Sequence, residues 1–439
     1  MKKIIISASV VILTAVLIHL PSPVPVSAQQ EVVMTIKEGM PVIPVAIPSF
    51  IARGGSEAVQ NAARTLREVI SADLKYSRVF NPLPNSYYDY IAGIDPSSPD
   101  KIKFKDWESI QAKLLMVGEV SPDENGGILF DAKIYDVKAG RFIKGKRYQT
   151  GMELLRLAGH NVSNEFMRLY GEAPIFTTKI VFVSNRDGND QLYMMDYDGH
   201  NQTRLTFNQE KDYMPAWSAD GQTIAYTHYL KQRAGLYLLN PFEGERKLVY
   251  DKGTSFGADF SRDGEKMVFS STENESNSEI YVADSDGSNV RRLTYNPTID
   301  TAPCWSPTGR EIAFTSDRMG SPQIYIMDAE GTNVRRVSFG GNYHDAPAWS
   351  PTGDRIAYVS RVRAIFDLYI LNLRSNQISK LTEGFSRNES PSWSPDGRHL
   401  VFSSNRSGTI QLYSIDYDGT NLKRLTSTGQ NKLPDWSRN

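Results

Sequence analysis

One short stretch is written six times in this chain, and it constrains the fold more than any other feature. Its third complete copy reads Pro303-Cys304-Trp305-Ser306-Pro307-Thr308-Gly309-Arg310-Glu311-Ile312-Ala313-Phe314-Thr315-Ser316. An extended run ends in an aromatic and Ser, Pro-x-Gly makes a turn, and a second apolar run follows. The aromatic recurs as Trp217, Phe260, Trp305, Trp349, Trp393 and Trp436, in steps of 43, 45, 44, 44 and 43 residues. A regular period of this length marks a repeat architecture.

What fills each period selects the architecture. After the second run comes a polar loop, then a third strand such as Gln323-Ile324-Tyr325-Ile326-Met327-Asp328. A Gly turn leads to a short fourth strand ending in Arg-Leu-Thr or a close variant. The units alternate with period two, which excludes a helical solenoid. Four short antiparallel strands per period make a propeller blade. The first blade begins near Ile180 without a first strand, and a spare one stands at residues 432–437. The C-terminal strand is therefore expected to pair beside residues 180–184 and close the ring, which removes the sheet edges. The expected fold is an N-terminal α/β domain followed by an all-β six-bladed β-propeller closed by the C-terminal strand.

Residues 1–28 read as a secretory signal, with Lys2-Lys3, an apolar run over 4–20 and Val26-Ser27-Ala28 before Gln29. Small residues at the cleavage position and the break at Pro21-Ser22-Pro23 favour removal over an uncleaved anchor. No Cys follows the cleavage point to carry a lipid, and no later stretch has the length of a spanning helix. The mature remainder carries 47 basic against 50 acidic residues, a balance that argues against a broad nucleic-acid footprint. Cys304 is the single cysteine, so no intramolecular disulfide forms; beside Trp305 it reads as a buried thiol.

Between the signal and about Ala173-Pro174 the pattern alternates between helix and strand, giving domains at 29–172 and 173–439. Residues 42–48 read as an edge or short strand because of their prolines. Residues 56–74 place Val59, Ala62, Ala63, Leu66, Val69, Ile70 and Leu74 on one helical face, with Ser56 as N-cap. A short helix after Asp106, strands at 114–120, 128–137 and 142–150, and a long helix over 152–170 complete an α/β domain expected to have its own core.

Several of these stretches resemble the TolB family. They are Pro44-Val45-Ala46-Ile47-Pro48-Ser49-Phe50, Asp73-Leu74-Lys75-Tyr76-Ser77-Arg78-Val79-Phe80, Val117-Gly118-Glu119-Val120 after Trp107, and Ile180-Val181-Phe182-Val183-Ser184 after Tyr170-Gly171. The connection Thr35-Ile36-Lys37-Glu38-Gly39-Met40-Pro41 is tighter than the family's usual one. The resemblance covers essentially the mature chain. It implies a periplasmic binding scaffold of the Tol–Pal envelope system, with a propeller that binds the peptidoglycan-associated lipoprotein Pal. It also implies an N-terminal segment, here Glu31, Val32, Val33, Met34 and Ile36, that engages TolA. Outer-membrane integrity, cell division and import of some bacteriocins are the associated roles.

A propeller's partner site is expected at the channel mouth. There the connections from each fourth strand to the next first strand share a face with those between second and third strands. The candidates in these connections are Tyr213, Thr254, Ser255, Thr301, Tyr343, His344, Asp345, Asn388 and Glu389; the resemblance places partner contacts here, with Thr301 a direct match. The bland alternative is that each Asp or Asn caps its own turn. The repeated Trp residues and Pro-x-Gly turns read as scaffold.

Enzyme-like signals are weak. Gly253-Thr254-Ser255-Phe256-Gly257 matches a nucleophile elbow, but it lies between blades, outside the strand–turn–helix setting that motif needs. Asp196-Tyr197-Asp198-Gly199 and its copies at 284 and 416 lack the further ligands of a calcium loop and read as hairpin turns. His160 and His344 have no metal-ligand spacing around them. No catalytic residue, metal or cofactor is called for. The alternative, a propeller hydrolase or accessory domain with a metal site in the channel, needs carboxylate and His ligands converging there.

Overall fold

The computed structural model of the chain describes residues 42–88, 91, 99–231, 233–273, 277–384 and 386–438. The signal, the tight 35–41 connection and the five N-terminal candidates Glu31, Val32, Val33, Met34 and Ile36 lie outside the described residues.

The α/β part is a mixed sheet with two long helices on one face. Its elements are β1 (Ile43–Ala46), β2 (Ile51–Ala52), α1 (Glu57–Tyr76), β3 (Phe80–Pro82), α2 (Phe104–Ser109), β4 (Leu114–Pro122), β5 (Ile128–Asp136), β6 (Arg141–Thr150) and α3 (Leu155–Leu169). The order is β3-β1-β4-β5-β6, with β2 against β4. The expected N-cap is in place: Ser56 Oγ accepts from Val59 N at 3.3 Å, and all seven apolar positions of that helix are buried. Gly159 lets α3 close on α1, since a Cβ there would stand 2.8 Å from Val69.

Three local expectations change. The proline-bearing strand β1 is central, parallel to both β3 and β4. Pro44 is tolerated because its carbonyl still serves the ladder, accepting from Lys113 N at 3.0 Å. The short helix starts at Phe104, two residues before Asp106. The long C-terminal helix begins as a 3-10 turn, Met152–Leu154, before α3.

Six four-stranded sheets form the propeller. The closing strand Asn431–Trp436 pairs antiparallel with Lys179–Ser184, putting Trp436 opposite Ile180. Two repeat signatures now have local causes. In several blades the Ser after the aromatic accepts from the first N–H of the second strand, as Ser394 does from His399 N at 3.0 Å and Ser306 from Glu311 N at 3.1 Å. The Thr of Arg-Leu-Thr accepts from the third strand, as Thr206 does from Leu192 N and Thr426 from Leu412 N. These side chains satisfy backbone donors at places where the ladder cannot.

The aromatics bridge blades as expected. Trp305 packs against Val268 and Ile280 of the preceding blade and Ile312 and Phe314 of its own, and Phe260 does the same against Ala225 and Leu236. The α/β part, however, lacks a fully separate core. One buried cluster runs from Leu66, Ile70 and Leu74 through Phe166 and Phe176 into Ile180, Tyr193, Leu412 and Trp436. The α/β part thus rests on the first and last blades, on the face formed by the turns between first and second and between third and fourth strands.

Candidate functional site

The opposite face opens into the channel. The innermost strands are Asp212–Trp217, Ser255–Phe260, Asp300–Trp305, His344–Trp349, Asn388–Trp393 and Asn431–Trp436, and they share one plan. Their first residues, Asp212, Ser255, Asp300, His344, Asn388 and Asn431, are buried. Their second residues, Tyr213, Phe256, Thr301, Asp345, Glu389 and Lys432, line a cavity of about 600 Å³. The third residue of each is left-handed, with φ from 49° to 64° at Met214, Gly257, Ala302, Ala346, Ser390 and Leu433. A register shift follows in every blade, and Pro occupies the fourth position in five of six. Each bulge interrupts the ladder for two residues after the second side chain, and pairing resumes at the fifth, as Tyr213↔Thr227 is followed by Ala216↔Ala225; bulges are common near binding sites.

This plan divides the sequence candidates. Tyr213, Thr301, Tyr343, Asp345 and Glu389 line the cavity. Ser255, His344 and Asn388 do not, because they are the buried first residues. Ser255 is fully buried, with its Oγ 2.9 Å from both Lys252 O and Ser271 Oγ, out of reach of anything in the cavity. Asn388 donates to Asp367 and accepts from Arg406. Burial pushes the His344 imidazole down to about 4, so it is neutral. Thr254 lies outside the cavity, its N–H donating to Thr272 Oγ1. A sequence pairs these neighbours; only the pleat separates them.

The mouth is polar and paired. Tyr343 donates to Asp345 Oδ2 at 2.8 Å, and Thr315 and Ala346 N hold the other oxygen. Arg361 lies over Tyr343, and Arg387 over Phe366 while bonding Glu389 at 2.7 Å. Lys432 lies over Tyr213, whose hydroxyl donates to Asp190. Burial first, and then the neighbouring carboxylates, push both tyrosines upward, so they act as neutral donors.

Deeper down lie residues the sequence reading missed. Asp259 and Asp435 each reach to the next blade, accepting from Trp305 N at 2.7 Å and Trp217 N at 2.8 Å. Arg438 bonds Asp259 at 3.1 Å. Burial pushes the Asp435 carboxyl up to about 6, and the Asp259 charge adds to that. Cys304 shares this wall, its thiol also pushed up by burial. The available signal was the Pro-x-aromatic triplet, whose middle residue is Ala, Cys or Ser in four blades but Asp in Leu433-Pro434-Asp435-Trp436 and Ala258-Asp259-Phe260. Among the described residues, no histidine lines the cavity.

Comparison with known proteins identifies the architecture. The family model described as "TolB beta propeller domain" matches residues 166–366 and 344–439, and "TolB amino-terminal domain" matches 32–143. The chain belongs to the TolB family. A "Protein TolB homolog" of Chlorobium chlorochromatii is 33% identical over 69% of this chain and 67% of its own length. A "Tol-Pal system protein TolB" of Desulfosudis oleivorans is 32% identical over 64% of this chain and 63% of its own. The crystal structure of TolB from Acinetobacter baumannii superposes with a TM-score of 0.77 at 26% identity, covering 91% of this chain and 97% of that one. This TolB-family propeller thus presents its channel mouth away from the α/β part.

Proposed function

We propose that this TolB-family chain is a non-enzymatic, periplasmic binding scaffold of the Tol–Pal system. Its propeller mouth takes the lipoprotein Pal, and its N-terminal segment engages TolA. The observation that carries the reading is the ring of six inner-strand side chains presented by six bulges around one 600 Å³ cavity. Aromatic rings, hydroxyls and paired charges at a rigid concave mouth suit a specific protein surface or peptide. The Desulfosudis relative's name supports the system, and no helix among the described residues is long and apolar enough to cross a membrane. Support of outer-membrane integrity and division, and use by bacteriocins, follow from that placement.

Calorimetric titration of the mature chain with the soluble domain of a cognate Pal tests this, alongside Thr301→Arg. Saturable binding by the wild type, lost in a folded variant, is expected. A folded wild type that binds no Pal would sink the reading and reopen the hydrolase alternative.

A further inference from the structure

At the face covered by the α/β part, the fold brings together a histidine and two carboxylates that the sequence keeps apart. His160 of α3 is 2% exposed. Its Nδ1 is committed to Asp73 Oδ2 of α1 at 2.9 Å, and the other Asp73 oxygen accepts from Tyr197 at 2.6 Å. Its Nε2 is buried with no hydrogen-bond partner. A ring nitrogen of His160 and one oxygen each from Asp196 and Asp198 lie within 4.8 Å of one another. With Nδ1 committed to Asp73, Nε2 is the ring nitrogen left free to serve as a ligand.

We infer that His160, Asp196 and Asp198 form a site for a borderline divalent transition metal, zinc or cobalt(II) in class, that clamps the α/β part to the first blade. The donor set is one imidazole nitrogen and two carboxylate oxygens, three protein ligands with room for water as a fourth, which suits a tetrahedral ion. Asp73 behind His160 supplies the carboxylate–histidine arrangement that fixes the ring and raises its basicity toward a metal. The unpartnered Nε2 distinguishes this cluster from an ordinary acidic turn: a buried ring nitrogen without a partner is costly unless something binds it.

The carboxylates are not idle. Lys179 bonds Asp196 at 2.5 Å, Asn201 bonds its other oxygen at 2.6 Å, and Arg156 and His200 hold Asp198. The Arg156 and Lys179 side chains are 30% and 34% exposed, so the proposed ion replaces each as its carboxylate's partner while the displaced charge stays in water. A cation site that must displace two cations binds moderately, and binding tightens when one competitor is removed.

The test is titration of chelator-treated full mature chain with cobalt(II), read by visible absorbance, with zinc added afterwards. One saturable site with four- or five-coordinate d–d bands, bleached by zinc, is expected. Asp198→Asn should weaken binding at least tenfold, and Lys179→Gln should tighten it severalfold. The Asp198 side chain is 9% exposed and pairs with Arg156, so Asp198→Asn is read beside a circular-dichroism spectrum matching the wild type. Should it or His160→Gln fail to fold, Lys179→Gln, at a side chain 34% exposed, decides the assignment by whether binding tightens. No saturable band from a folded wild type, or a band that survives Asp198→Asn, overturns the site.

Discussion

The two faces of the propeller are built from the same repeat and put to opposite uses. At the channel mouth the bulged inner strands present side chains that differ from blade to blade: Tyr, Phe, Thr, Asp, Glu and Lys. Their ion pairs are partly wet, as in Arg387–Glu389 with side chains 55% and 30% exposed. On the covered face the turns repeat an Asp-containing theme, and two blades bind the α/β part through it. Arg78 bonds Asp416 at 3.0 Å and Asp418 at 2.7 Å, Arg156 bonds Asp198, and Tyr76 stacks on His399 at 4.0 Å. Asp416 and His399 are themselves joined at 2.7 Å in the interior. The lesson concerns burial. A desolvated charge must keep its partner and so locks geometry, whereas a rim charge can exchange partners at little cost.

The largest effect is therefore expected on the covered face. Asp73→Ala leaves His160 and Tyr197 buried without their acceptor and should cost about 3 kcal/mol. Urea unfolding reads that cost, and limited proteolysis between residues 169 and 179 should quicken. Equal resistance of variant and wild type would show that the junction holds by apolar contact alone.

A smaller effect separates the channel interior from its rim. With its carboxyl raised to about 6 against about 4 in the unfolded chain, Asp435 keeps a proton on folding within that window. Its contribution to stability is full below about pH 4 and is lost as pH rises through 6. Asp435→Asn escapes that loss, so its stability relative to wild type should improve by about 1 kcal/mol between pH 4 and pH 7.5. Parallel urea curves at the two pH values check this, and an unchanging difference would place the carboxyl in water.

Ala302 tests whether the bulges are strained. At φ 49° a Cβ is disfavoured, so Ala302→Gly should be neutral or stabilising by up to about 1 kcal/mol. Loss of stability would mean the left-handed bend is set by something other than the backbone of that residue. The smallest effect belongs to the rim itself. Thr301→Arg should move the unfolding midpoint by no more than about 0.5 kcal/mol in stability, and a larger loss would make the mouth part of the scaffold.

Much of this fold was legible because its causes are local and periodic. The 43 to 45 residue spacing, the Ser-Pro-x-Gly turns and the stranded C-terminal strand dictate six blades and their closure, each set by hydrogen bonds within one or two strands. The α1 face was equally readable from Ser56 and its apolar spacing. The channel lining was half legible: the connections that carry it were marked, but Ser255, His344 and Asn388 are buried first residues while their neighbours Phe256, Asp345 and Glu389 line the cavity. A one-residue choice of face depends on the bulge, and the bulge depends on pairing with the second strand.

Tertiary structure alone decided the rest. Linear spacing denied His160 any metal-ligand company and read Asp196 and Asp198 as turn residues, which they are. The packing of α3 on the first blade sets the histidine beside them across 36 to 38 positions of sequence. Likewise, nothing around Asp259 or Asp435 in the chain shows that both lie in one channel. Sequence determines what repeats, because repetition is built from short-range geometry; closure of the ring determines which unlike residues meet, because that is a long-range consequence of where the blades end up.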